Sequence, residues 1–134
     1  MERVNECDLL IVDDKPNFRL FLKDFFVQKI PGIKTKLAED GIEGYDLALK
    51  FSPRIIWTCI RMPRMSGLEL IELIKEDPDV RYIRIVIYTA HHCGQIRNRA
   101  FALGAEAYLY KGDYGQLEEG LRIVADLLYT DTST

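Results

Sequence analysis

Residues 53–67 read PRIIWTCIRMPRMSG. Ile55 to Thr58 is a short run of β-branched and aromatic residues without polar alternation, the pattern of a strand buried on both faces of a parallel sheet. The run stops at Cys59. Ile60, Arg61, Met62 and Pro63 form a loop, and Ser66 followed three residues later by Glu69 is the reciprocal capping pattern that satisfies orphan backbone donors at a helix start. Cys59 therefore stands where a buried strand runs out into a loop, the edge at which open α/β sheets gather ligands and chemistry.

The flanking chain repeats this strand–loop–helix unit. Upstream, Leu9 to Val12 is a continuous apolar run that ends on Asp13 and Asp14. Pro16 suits a first helical turn, and Phe18, Phe21, Leu22, Phe25 and Phe26 recur at helical spacing until Pro31-Gly32 breaks the pattern. Ile33 to Ala38 alternates as a less buried strand does, and Asp40 with Glu43 opens a helix carrying Ile42, Tyr45, Ala48 and Leu49 that Ser52-Pro53 ends. Downstream, a helix from about Gly67 turns Leu68, Ile71 and Ile74 inward and stops by Pro78. Ile83 to Tyr88 is a fourth strand leading to Thr89-Ala90, followed by a weaker helix with Ile96, Ala100 and Leu103 on one face and Gly104 as its stop. Ala107 to Tyr110 is the fifth strand, ending at Lys111, and Leu117, Leu121, Val124 and Leu128 give a last amphipathic helix. Residues 1–129 are thus expected to form one domain, with 130–134, TDTST, a disordered tail.

The 134-residue chain is long enough to bury roughly two-thirds of its unfolded surface around one core. A net charge of −3 and a pI near 5.4 argue against direct nucleic-acid binding or an anionic-membrane footprint. Three cysteines, Cys7, Cys59 and Cys93, lack metal-finger spacing and suit a reducing, cytoplasmic setting better than a disulfide framework. The polar start MERVNECD is no signal peptide, and no apolar run approaches the roughly 18 residues of a membrane span.

Five βα units predict an α/β fold, a doubly wound (βα)5 parallel five-stranded sheet with helices on both faces. Asp13, Asp14, Cys59, Thr89 and Lys111 then all fall at carboxyl ends of strands, so four segments converge on one edge. In that order and spacing the acidic pair, the loop IRMPRMSGLEL, Thr89-Ala90, and Lys111 with Tyr108 three residues before it resemble the receiver domain of bacterial two-component response regulators, over essentially the whole chain. The resemblance implies a flavodoxin-like fold with strand order 2-1-3-4-5. It implies Mg2+ held by Asp13, Asp14 and the backbone carbonyl of Arg61, and a phosphoryl group received from a histidine kinase or phosphotransfer protein. Thr89 and Lys111 would bind the phosphoryl oxygens, and Tyr108 would change rotamer with Thr89 as the switch. It also implies no enzyme of independent activity but a module that contacts a downstream protein, or a second copy of itself, through a fourth-helix to fifth-helix face including Ile96, Arg97, Arg99, Tyr108 and Tyr110.

Two positions depart from that pattern. Gly112 follows the lysine where the family usually has proline, which leaves the lysine loop looser. Cys59 occupies the position of the phosphoryl-accepting Asp. Two carboxylates remain where the family has three, and a thiol is a poor partner for hard Mg2+, so metal binding is weakened. Asp13 and Asp14 push the thiol pKa up and Lys111 pulls it down; on balance the neutral, poorly nucleophilic thiol is favoured. Bland readings stand beside these: Asp13-Asp14 as helix-capping residues, Cys59 as a small buried hydrophobe, Thr89 and Lys111 as ordinary strand-end groups. Three functions compete. One is a receiver whose acceptor has been replaced, by engineering or by divergence, and which is not phosphorylated. Another is a thiol- or metal-responsive sensor using Cys59, with His91, His92 and Cys93 as further soft ligands. The third is a metal-dependent phosphoester hydrolase built on Asp13 and Asp14.

Overall fold

The computed structural model describes residues 6–130. Its elements alternate without exception: β1 (Leu9–Val12), α1 (Pro16–Lys29), β2 (Thr35–Ala38), α2 (Gly41–Phe51), β3 (Ile55–Thr58), α3 (Gly67–Glu76), β4 (Arg84–Thr89), α4 (Gly94–Leu103), β5 (Ala107–Tyr110) and α5 (Tyr114–Thr130). The strands form one parallel sheet in the order β2-β1-β3-β4-β5, the flavodoxin-like arrangement expected. Thr130 is the last residue of α5, and residues 131–134 of the expected tail lie outside the described residues. No described helix is long and apolar enough to cross a membrane.

Strand periodicity divides the core in two. Leu10, Val12, Ile56, Ile85 and Ile87 face α2, α3 and α4, where they meet Ala48, Leu70, Ile71, Ile74 and Ala100. Their neighbours Leu9, Ile11, Ile55, Trp57, Val86 and Tyr88 face α1 and α5, against Leu22, Phe25, Phe26, Leu117 and Val124. Because β1 and β3 bury every residue, neither shows polar alternation, which is how both read as fully buried strands.

The differences from the sequence reading are mostly of phase. β2 begins at Thr35 and β4 covers Arg84–Thr89, so Thr89 is the last residue of its strand, paired with Tyr110 of β5. On α1 the buried stripe is Leu22, Phe25 and Phe26, and Phe21 is 49% exposed, one helical step off the sheet. Ile42 and Leu49 of α2 are also exposed, because that helix approaches the sheet on the small residues Gly41, Gly44 and Ala48. In α3 the inward leucine is Leu70, with Leu68 half-buried.

Two close approaches fix helix positions. Trp57 meets Phe26 edge-on at a centroid distance of 4.9 Å and Tyr88 at 5.1 Å, and a Cβ on Gly120 of α5 would stand 2.4 Å from the indole ring. Gly67 opens α3 directly under the end of β3. Its N–H donates to the Ile60 carbonyl at 2.7 Å, and a Cβ there would lie 2.2 Å from the Cys59 carbonyl oxygen. Backbone cannot rotate out of the way, so Gly67→Ala is expected to lower stability by about 1–3 kcal/mol as an overpacking substitution. A chemical-denaturation midpoint equal to that of the parent chain would contradict this.

Candidate functional site

The parallel sheet aligns its strand ends, and the expected residues meet there. The carboxylates of Asp13 and Asp14 and the Cys59 sulfur each offer an atom within 4.8 Å of the others. Asp13 is the immediate continuation of β1 and is buried at 1% exposure; its Oδ1 accepts from the Lys15 N–H at 2.9 Å. Its Oδ2 accepts from Lys111 Nζ at 2.7 Å, and both side chains of that pair are under 10% exposed. Such a pair is tolerated in a protein interior only because each charge neutralises the other. The Cys59 sulfur lies 3.9 Å from Asp14 Oδ1 and 3.8 Å from the Arg61 carbonyl oxygen, long contacts of a weak donor facing two acceptors.

On the other side of β3, Thr89 is buried at the end of β4, and its Oγ1 accepts from the His91 N–H at 3.2 Å. Tyr108 is turned inward, and its hydroxyl donates to the His91 carbonyl oxygen, also at 3.2 Å. One residue of the β4–α4 connection is therefore held from both sides by the threonine and the tyrosine. His92 stacks on Tyr110 with ring centroids 4.0 Å apart, and Cys93 precedes α4 without a side-chain cap. Among the described residues, His91, His92 and Cys93 do not join Cys59 in a cluster of metal-ligand geometry. On the α4 side, Arg97 lies over Phe101 and Ile96 packs against the core, whereas Arg99 turns toward α3 and pairs with Glu72 at 3.5 Å.

Residues 9–122 match the model of the response regulator receiver domain. The chain belongs to the response regulator receiver domain family. It is 31% identical over 103 residues to the polar-differentiation response regulator DivK of Brucella anthropi, covering 77% of this chain and 81% of that protein. It is 30% identical over 111 residues to a probable cyclic di-GMP phosphodiesterase of Vibrio cholerae, a match that takes in 83% of this chain but spans only 24% of that protein's length. Among solved structures it is similar to the receiver domain of a DNA-binding response regulator from Colwellia psychrerythraea, with a TM-score of 0.81, 25% identity, and coverage of 90% and 98%. The receiver domain of a signal transduction histidine kinase from Syntrophus aciditrophicus has the same TM-score of 0.81 at 25% identity, covering 96% of this chain and 94% of that one.

Within this receiver domain the surroundings of the thiol at the strand end disfavour its thiolate form. Burial pushes the Cys59 pKa up to about 12, with the Asp13 charge adding to the rise and Lys111 opposing it. Burial likewise lifts Cys7 to about 11. Cys93 is the least buried of the three cysteines. Iodoacetamide at pH 7.5 is therefore expected to add one group to the native chain, at Cys93, and three after unfolding. Rapid native labelling of Cys59 would refute the direction of that shift.

Some supporting residues gave no sequence signal. Arg64 clamps the buried Asp40 with both Nε, at 2.9 Å, and its terminal amino group, tying the loop after β3 to the start of α2. The Glu43 N–H that Asp40 caps, and with it the Arg64 guanidinium, hold the Asp40 carboxyl below its usual range. Arg64 does so from a left-handed backbone conformation, φ +69°, uncommon for a residue with a side chain. Arg19 donates to the Asp13 carbonyl oxygen at 2.7 Å, and Phe18 lies under the Lys111 ammonium at 4.2 Å. Gly112 takes φ +89°, a conformation closed to proline. Lys111 is nonetheless held at both ends, its N–H donating to the Thr89 carbonyl at 2.8 Å.

Proposed function

We propose that this chain is a receiver module of a two-component phosphorelay that acts as a conformational protein-interaction switch without receiving a phosphoryl group on residue 59. The observation that carries the reading is Cys59 itself. Its sulfur sits at the end of β3 beside Asp13 and Asp14, with Lys111 drawn onto Asp13. That is the constellation of a receiver pocket with a neutral thiol in place of the accepting carboxylate. A thiol of pKa about 12 supplies almost no thiolate at neutral pH, so attack on a phosphoryl donor is suppressed.

Asp13, Asp14 and the Arg61 carbonyl are the groups that would hold Mg2+, whose role in this pocket is to neutralise phosphoryl oxygens. The donor set does not suit that ion well. Mg2+ takes hard oxygens in near-octahedral geometry, and here a sulfur occupies the fourth place. The hydrogen bonds of the two proposed switch residues support the reading: the Thr89 hydroxyl and the Tyr108 hydroxyl both hold His91, so displacing either would change the anchoring of the loop into α4. A partner that binds one arrangement of that loop better than the other shifts its population without covalent chemistry. Candidate partners are a histidine kinase or phosphotransfer protein at the pocket edge, and a downstream protein, or a second copy, on the α4 to α5 face where Ile96, Arg97 and Tyr110 lie.

The elevated thiol pKa gives no support to an oxidation sensor, which needs a reactive thiolate. The test is incubation of the chain with acetyl phosphate and Mg2+, followed by intact mass. No added phosphoryl mass is expected, and a stable label mapped to residue 59 overturns the proposal.

A further inference from the structure

We propose that the pocket formed by Asp13, Asp14, Cys59 and the Arg61 carbonyl holds a thiophilic divalent cation, of the zinc or cadmium class, in preference to Mg2+. The inference rests on the reading of this edge as the receiver's metal pocket and concerns which ion that pocket takes.

Three oxygen-bearing groups and one sulfur converge here from two loops, with the carboxylate and sulfur ligand atoms within 4.8 Å of one another. Cys59 faces Asp14 Oδ1 at 3.9 Å and the Arg61 oxygen at 3.8 Å, yet a thiol has one proton to give. A tetrahedral zinc with bonds of about 2.3 Å to sulfur and about 2.0 Å to oxygen sets its sulfur and oxygen ligands roughly 3.5 Å apart. The sulfur contacts to Asp14 and the Arg61 carbonyl therefore need a few tenths of an ångström of closure, and the pairs of the cluster that approach the 4.8 Å limit need side-chain rotation to close further. The Asp13 carboxylate still has lone pairs to offer, because the Lys15 N–H and Lys111 take one position on each oxygen. Charge gives the same answer. A metal that binds sulfur takes the thiolate, and the thiol proton leaves to solvent as the sulfur–metal bond forms, with no change of oxidation state. Two carboxylates, a thiolate, a divalent ion and the Lys111 ammonium then sum to zero. Mg2+ does not displace the thiol proton, and the same groups are left with an uncompensated positive charge in a buried setting.

The experiment titrates Cd2+, Zn2+ and Mg2+ separately into the full chain, kept reduced with a phosphine. It follows the sulfur-to-cadmium charge-transfer absorbance and Trp57 emission. Expected is one equivalent of Cd2+ with the charge-transfer band, and Cd2+ and Zn2+ affinities at least 100-fold above that for Mg2+. Cys59→Ser and Cys59→Ala should each lose the band and at least tenfold in Cd2+ affinity while keeping the parent far-ultraviolet circular dichroism; Cys93→Ser should keep both. Cys59→Asp should reverse the preference toward Mg2+. A band that survives both Cys59 substitutions, or equal affinity for Cd2+ and Mg2+, overturns the inference. If Cys59→Asp takes up Mg2+ but the parent chain takes up no Cd2+, the inference fails and the receiver pocket stands. If Cys59→Asp takes up no Mg2+ either, the pocket reading fails with it.

Discussion

Cys59→Asp is expected to convert a chain that gains no phosphoryl group from acetyl phosphate into one that does, with Mg2+ binding tightened at least tenfold. The new carboxylate would stand beside Asp13 and Asp14, where two unit charges about 4 Å apart interact by roughly 4 kcal/mol at an effective dielectric near 20. Repulsion within an acidic trio absorbs part of that gain, but a tenfold change needs only about 1.4 kcal/mol. Lys111 lies 2.7 Å from Asp13, and Thr89 ends the neighbouring strand. Trp57, the single tryptophan, is buried two residues before the substituted position and supplies a spectral readout alongside intact mass. A variant that gains neither Mg2+ affinity nor phosphoryl mass, while remaining folded, would remove the case for a receiver pocket.

Lys111→Met should be the most destabilising single change at this edge, by about 3–5 kcal/mol, because it strands the Asp13 carboxylate in a buried site without its counter-charge. The methionine keeps the aliphatic packing over Phe18, so the loss isolates the charge. For a chain of this length the melting temperature should fall by on the order of 10 °C. Adding Asp13→Asn should recover most of it, since removing both charges leaves two neutral groups. Equal melting temperatures for Lys111→Met and the parent chain would show that the pair contributes nothing to the fold.

How far the sequence could be read depended on what kind of physics each residue obeys. β1 and β3 were legible because burial on both faces removes polar alternation, and the start of α3 was legible because Ser66 and Glu69 form the full reciprocal cap. The site's membership followed from strand order: residues that end strands of one parallel sheet must share an edge. Its internal pairing did not follow. Lys111 and Asp13 are 98 positions apart, and spacing gives no hint that the ammonium engages that carboxylate rather than Asp14. Phe21 was misplaced because a run of aromatic residues saturates the helical pattern and hides which of them is one step out of phase. Arg64 and Gly67 were invisible for a further reason, since a clamp across two loops and a missing Cβ under a carbonyl exist only in three dimensions.

The contact between Gly67 and the end of β3 also divides the molecule mechanically. With the first residue of α3 pressed against the Cys59 carbonyl and a complete cap behind it, the start of α3 is fixed closely to the end of the strand. The start of α4 has no such fastening: it is uncapped after Cys93, and the loop leading into it is held by the two hydroxyls that grip His91. A disturbance at residue 59 thus meets a tightly packed helix start on one side and an uncapped one on the other. Under the proposed switch reading, a change at residue 59 would travel outward through α4 rather than through α3.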